Sequence, residues 1–428
     1  MLLLQSLLAL GLFLQTASGS ALAAPPQERV DRVEGWSSDL EFWLGAAARE
    51  HYVWRGKELP EELLARADWL HEHIPELSDQ RVLMELERLA ALLGDGHTVV
   101  RQFSERFDTT ALPLRFYVFS DGLFVIDADA GFERWIGSQV LAIGTTGADV
   151  LLTRIADYVS KDNVYTPRWT GPRFLRLTGM LEAIAEGIDP TAIRVTLRAP
   201  GSEPTEAVFV PRREEPIDRT PKLAPSRLPG APPAPLYLQD VPRSYWFRAL
   251  DERTVYAQCN QFVNDADQTL ADFAAQLARA LEEQAPARLI VDVRHNNGGD
   301  GSLLTPLVYA LRDYDARPGS ELVVLMGRNT FSAAQIFLAR VDNETQALFA
   351  GEPSSSSPNF VGEEHAVRLP WCGASANFSN RYHESIPGDT RAFIPADVPL
   401  ELSSEDYFAN RDPLLELVLA RPIESAGR

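Results

Sequence analysis

Apolar residues recur at spacings of three and four from about Val30 to Leu93. Trp36, Leu40, Phe42, Trp43 and Ala46 mark one stripe, and Val82, Leu83, Leu86, Leu89 and Leu93 mark another. That period predicts amphipathic helices, with Pro60 and Pro75 separating them. Two glycines then stop the helical pattern at Leu93-Gly94-Asp95-Gly96-His97-Thr98, before Val99 and Val100 begin something extended. Beyond Leu112 the period changes. Leu114–Phe119 and Leu123–Ile126 read as strands joined at Asp121-Gly122, Ile136–Ile143 reads as a third, and Asp149–Val159 as a helix. Residues 200–236 are rich in proline and mixed charge, which predicts an exposed connection. From Tyr245 onward, strands and helices alternate: Thr254–Cys259, Thr269–Gln284, Arg288–Val293, Ser302–Leu311, Leu322–Met326, a helix from Phe331, and Ala347–Ala350. Alternation at this spacing predicts a parallel sheet covered by helices. The expected division is a helical part at 24–100, a β-rich module at 101–199, a linker at 200–236 and an α/β core at 237–428.

Composition adds bounds. The 428 residues are 45% hydrophobic, ample for a core and consistent with two or three domains. A formal net charge of −20 argues against nucleic acid and anionic membrane surfaces as partners. Residues 1–23 carry an apolar run, Leu2–Leu14, and end in Ala21-Leu22-Ala23. They read as a secretory signal peptide, although no Lys or Arg precedes the run, so the mature chain is expected to be exported, periplasmic or secreted, with no membrane insertion. Cys259 falls in a predicted core strand, where an inert buried thiol is expected. Two cysteines without a His/Cys cluster predict no structural zinc, and no cofactor is implied.

Three stretches could carry chemistry. Ser332 stands where the strand Leu322–Met326, after the turn Gly327–Thr330, gives way to a helix. It is either a helix cap or a side chain lifted off the backbone beside the unpaired N–H groups of a helix start. Gly298-Gly299 closes Asp292-Val293-Arg294-His295-Asn296-Asn297-Gly298-Gly299 behind a buried strand. It is either an ordinary turn or a place where backbone amides face a ligand. His97, in its Gly-flanked turn, is either a solvated turn residue or a base.

Taken together these motifs resemble the tail-specific proteases, or C-terminal processing peptidases, a family of serine peptidases. The supporting residues are D-x-R-x-N-x-G-G at 292–299, Thr330-Phe331-Ser332-Ala333-Ala334, Gly351-Glu352-Pro353, Pro395-Ala396-Asp397-Val398, Asp406-Tyr407 and Arg411-Asp412-Pro413. The resemblance implies a multi-domain α/β fold: an N-terminal helical bundle, a small PDZ-like β-rich module and a C-terminal core of the crotonase-like, tail-specific protease type. It implies Ser332 as nucleophile and the amides of Gly299 and Ala333 as the oxyanion hole, with Gly298 less favoured. The family has a Ser–Lys arrangement and a tricorn-like Ser–His–acid arrangement. No lysine follows Lys222, and arginine stays protonated, so a histidine base is expected. His97 matches the tricorn-like turn and is preferred over His295, His365 and His383. The orienting acid is expected at Asp389, with Glu384 as alternative; the competing reading of Asp389 is a salt bridge to Arg391. Gly96 stands where the tricorn-like pattern has a serine. The implied substrate is a peptide or an unfolded chain end, with the PDZ-like segment a candidate for first contact. The alternative is a non-catalytic protein that binds peptides or apolar ligands on the same scaffold.

Overall fold

The computed structural model describes residues 31–214 and 223–423, so the expected leader at 1–23 lies outside the described residues. Helices Arg32–Glu50, Glu61–His73 and Asp79–Ala91 form the first layer. Asp31 caps the first through the Val33 N–H and Ser78 caps the third through the Arg81 N–H, satisfying amides that have no partner within the helix. Their apolar stripes are buried: Trp36, Trp43, Leu63, Leu70, Leu83, Leu86 and Leu89 are all fully covered.

The second layer is an antiparallel sheet ordered Leu114–Phe119, Gly122–Ala128, Gln139–Ile143, Ile193–Arg198 and Thr205–Phe209. Its last strand lies inside the stretch read from proline content as a linker. The alternation is muted there because Thr205–Phe209 is an edge strand: Phe209 is buried while Val208 is 59% exposed. One apolar core runs from Trp36 through Leu114 and Val195 to Phe209, so the helical layer and this module pack as one body.

The third part is a six-stranded sheet ordered Tyr245–Ala249, Thr254–Cys259, Arg288–Asp292, Glu321–Met326, Leu348–Gly351 and Val398–Pro399. The first pair is antiparallel and the rest are parallel. Both faces are covered, which explains why its strands read as continuous apolar runs. Val255, Leu289, Val291, Leu322 and Val324 face helices Leu270–Gln284, Thr305–Asp315 and Ala333–Glu344, while Tyr256, Ile290, Val323 and Leu325 face helix Pro413–Ala420. Thr269 and Asp272 form a reciprocal capping box on the first of these helices.

A long hairpin, Asn359–Arg368 with Ser375–Glu384, leaves this core and returns to the N-terminal layer. Val99 and Val100 pair with its second strand, and Phe378 packs on Trp43 with ring centroids 5.6 Å apart. Asp39 accepts the backbone N–H groups of Trp371 and Cys372 at 2.7 and 2.9 Å, fixing the hairpin turn to the first helix. Cys259 and Cys372 are both buried and free, and burial pushes each thiol well up, away from the reactive thiolate. No described helix is long and apolar enough to cross a membrane.

Candidate active site

Strand Glu321–Met326 ends in a turn tied to its neighbour. The Thr330 N–H donates to the Gly327 carbonyl at 2.8 Å, and the Thr330 hydroxyl donates to the Val293 carbonyl at 3.1 Å. Ser332 then takes φ 58° and ψ −125°, a region that a side-chain-bearing residue occupies only when its surroundings enforce it. Helix Ala333–Glu344 begins at the next residue, and Ser332 makes no side-chain cap bond to it. The capping role is therefore not what this serine performs. Its hydroxyl is held above a helix N-terminus, half-buried and free to meet another group.

Gly298 and Gly299 have φ of 119° and 135°, which only glycine adopts without strain. A Cβ at Gly298 would stand 2.8 Å from the Ser332 Cβ and 3.1 Å from the Ala333 nitrogen. The glycine turn thus lies directly against the serine. The Gly298 N–H is already given to Asn296 Oδ1 at 2.9 Å. The Gly299 and Ala333 N–H groups have no hydrogen-bond partner among the described residues, and Gly299 is exposed. Two free amides therefore flank Ser332, while the third is occupied.

His97 reaches Ser332 from a sequence distance of 235 residues: its Nε2 is 3.0 Å from the Ser332 Oγ. The turn that carries it is pinned by Asp95. One oxygen of that carboxylate accepts the N–H groups of His97 and Thr98 at 2.8 and 2.7 Å and the Ser379 hydroxyl at 2.5 Å. The other lies 2.7 Å from His51 Nε2. Because Val53 N–H donates to His51 Nδ1 at 3.2 Å, His51 holds its proton on Nε2 and donates to Asp95. Burial would raise the Asp95 carboxyl, but these donors hold it below the usual range. The His97 ring lies between Phe331, at 4.4 Å, and Phe360, at 5.4 Å and nearly parallel. Burial between these rings lowers its pKa to about 4, with Asp95 pulling it up and His383 pushing it down. Of the other candidate bases, His295 is buried against Tyr237, His365 is exposed near Glu50, and His383 stacks on Phe360.

The expected third partner is not beside this pair. Asp389 is held by its near neighbour Arg391, with a shortest contact of 2.6 Å, and Arg391 also reaches Asp342 at 2.5 Å. Those bonds lower the Asp389 carboxyl, which is the salt-bridge reading. Glu384 is exposed and accepts only the Gly388 N–H, at 3.3 Å. His97 Nδ1 is buried and has no hydrogen-bond partner among the described residues. Asp389→Asn is accordingly expected to change catalytic efficiency by less than about tenfold, whereas the loss of a working triad acid costs about 10⁴-fold. Steady-state kinetics of the purified variant decides between these.

Two arginines brace the site. Arg294 bonds both oxygens of Asp412, at 2.9 and 2.7 Å, and also Asp292, which accepts the Tyr256 hydroxyl at 2.7 Å. This joins the strand before the glycine turn to the Arg-Asp-Pro segment. Arg328, 2% exposed, is paired to Glu352 through two contacts of 2.6 Å and donates to the Val118 carbonyl at 3.0 Å. That bond ties the turn before Ser332 to the β-rich module. Sequence reading had singled out the Asp-x-Arg and Gly-Glu-Pro motifs without assigning these contacts. Asp95, His51, Ser379, Phe331 and Phe360 were missed as contributors.

These parts, a helical layer, a β-rich module and a helix-covered sheet, build a fold shared with solved structures. Its structural relatives include mature CPAF complexed with lactacystin, at 13% identity and TM-score 0.62, covering 90% of this chain and 97% of that one. Mature CPAF alone superposes with TM-score 0.61 at 13% identity, covering 92% and 99%. The photosystem II D1 C-terminal processing protease superposes only loosely, at TM-score 0.40 and 14% identity over 88% and 98%. No protein-family model matches the sequence, and no curated protein matches it. The resemblance drawn from the motifs holds at the level of the fold.

Proposed function

We propose that this chain is a serine peptidase in which Ser332 is the nucleophile and His97 the general base. The observation that carries this reading is the 3.0 Å approach of His97 Nε2 to the hydroxyl of a serine held at a strained strand-to-helix turn. His97 takes the hydroxyl proton as Ser332 Oγ bonds to the substrate carbonyl carbon. The Gly299 and Ala333 amides receive the oxyanion, and Gly298, already bonded to Asn296, does not. His97 returns the proton to the leaving amine as the C–N bond breaks, and water then hydrolyses the acyl-enzyme by the reverse use of the same base. Aromatic packing and the Asp95-pinned turn orient the imidazole in place of a carboxylate on Nδ1. The substrate is a peptide or unfolded chain end, and the sequence of residues 1–23 supports action in an exported compartment.

A second reading, a binding protein on the same scaffold, draws on the unpartnered Nδ1 and on Gly96. One experiment separates the two. A fluorophosphonate probe should label the native protein stoichiometrically and fail to label Ser332→Ala. A folded native protein that stays inert to the probe across pH 5 to 9 ends the enzyme reading.

A further inference from the structure

Directly before His97, the Gly96 N–H donates to Asp162 Oδ1 at 2.7 Å. Asp162 comes from the β-rich module, in the segment leading into helix Thr166–Phe174. Its second oxygen accepts the hydroxyl of Ser356. The residues beside it continue the same seam. Asn163 Nδ2 donates to the carbonyls of Ser354 and Ala392 at 3.0 and 2.9 Å, and the Thr166 hydroxyl donates to the Ser355 carbonyl at 2.8 Å. Ser354, Ser355 and Ser356 are fully buried, and the Ser355 N–H donates to the Thr330 carbonyl at 3.3 Å, two residues before Ser332. One carboxylate therefore touches the residue preceding the base and, through a buried serine run, the turn preceding the nucleophile. A Cβ at Gly96 would lie 3.2 Å from the Asp162 carboxyl carbon and 2.9 Å from the Phe331 ring, so the space beside this turn is already filled.

We propose that Asp162 is a positioning residue, a clamp whose charge state sets how His97 is presented to Ser332. As a carboxylate it accepts from Gly96 and from Ser356 together. Once protonated, the oxygen facing Ser356 becomes the donor in that bond, and the oxygen facing Gly96 becomes a neutral carbonyl, a weaker acceptor than a carboxylate, so the turn carrying His97 loses part of its hold. The charges around it are few. Asp95 faces it from the His97 turn, the serine run brings none, and neighbouring Lys161 turns its ammonium to the Ala156 carbonyl. Burial pushes the Asp162 carboxyl up to about 7; the Ser356 and Gly96 bonds oppose the rise and Asp95 adds to it. The clamp therefore changes state near neutrality, far above the window in which His97 itself takes a proton.

This inference rests on the peptidase reading, and the test separates the two. The rate of fluorophosphonate labelling, followed from pH 5 to 9, should rise roughly ten- to hundredfold with a midpoint near 7. Asp162→Asn, which reproduces the neutral carboxyl's hydrogen bonds, should remove that step and hold the rate near the parent's low-pH level, while leaving thermal stability close to that of the parent. Ser356→Ala removes one bond to the carboxylate and should move the midpoint upward. In parallel, spectra of protein labelled with ¹⁵N-histidine should show the His97 ring resonances shifting with the same midpoint, and Asp162→Asn should abolish the shift. A labelling rate that is flat across neutrality, or a step that survives in Asp162→Asn, overturns the clamp in an active enzyme. A protein inert to the probe whose His97 resonances still follow Asp162 overturns the peptidase reading and upholds the clamp.

Discussion

His97→Ala is expected to lower peptide hydrolysis by about 10⁴-fold or more while leaving the native fold intact. The imidazole is the only side-chain base that meets the Ser332 hydroxyl in the described structure, and its Nε2 is already within hydrogen-bond range. Removing it leaves the two free amides and substrate binding, which together sustain only a small residue of catalysis. Single-turnover acylation of an activated ester by the variant, compared with the parent at equal concentration, measures the loss. A variant that retains a tenth of the parental rate would mean that another group activates Ser332.

Burial gives His97 an unusual window. His97 takes a proton only near pH 4 in the native protein, so it stays neutral and able to accept from Ser332 well below pH 6. The sign for stability is opposite. The unfolded chain protonates this histidine below its ordinary value of 6.5 and the native chain does not until about 4. Stability is therefore lost as pH falls through that interval. The aromatic packing that holds the ring without a carboxylate partner is the cause of both effects.

Local signals in the chain carry much of this site. A strand, four turn residues and a helix place Ser332 where it stands, and the paired glycines ahead of it mark a turn that lies against it. Both signals are confined to a dozen residues. His97 is different: its turn is visible, but its partner is not, and attention reaches it through the absence of lysine after Lys222 and the likeness of its turn to the tricorn-like pattern. The contributors that were missed are non-local. Asp95 meets His51 across 44 residues and Ser379 across 284, and Asp162 meets Gly96 across 66. No spacing rule links such pairs. Phe360 arrives on the strand Asn359–Arg368, in which four consecutive residues, Glu363–Ala366, are exposed, so the strand as a whole lacks clean alternation. Asp389, expected as the orienting acid, is engaged elsewhere for a related reason. An Asp two residues before an Arg satisfies itself locally, and Asp389 does so.

Arg294→Ala should cost about 3–5 kcal/mol of stability, the largest loss expected from any single polar substitution around this site. The reason is what the change leaves behind. Asp292 and Asp412 have side chains 1% and 6% exposed, and both depend on Arg294. Burial would raise the Asp292 carboxyl, but the guanidinium keeps it low, so without Arg294 two carboxylates are left close together in the interior. They must either take up protons or pull water into the sheet. A triple replacement, Asp292→Asn with Arg294→Met and Asp412→Asn, removes all three charges and should recover most of the loss, because a neutral packed cluster carries no unpaired ion. Denaturant unfolding of the parent, the single variant and the triple variant checks both statements. The two variants should also part company in function. Arg294 follows Asp292 by two residues and precedes Gly298 by four, and its grip on Asp412 holds the start of the glycine turn to the C-terminal segment. Stability can return without that grip, but the alignment of the Gly299 amide with Ser332 should not. The triple variant is therefore expected to fold and yet acylate more slowly than the parent, which a stability defect alone would not produce.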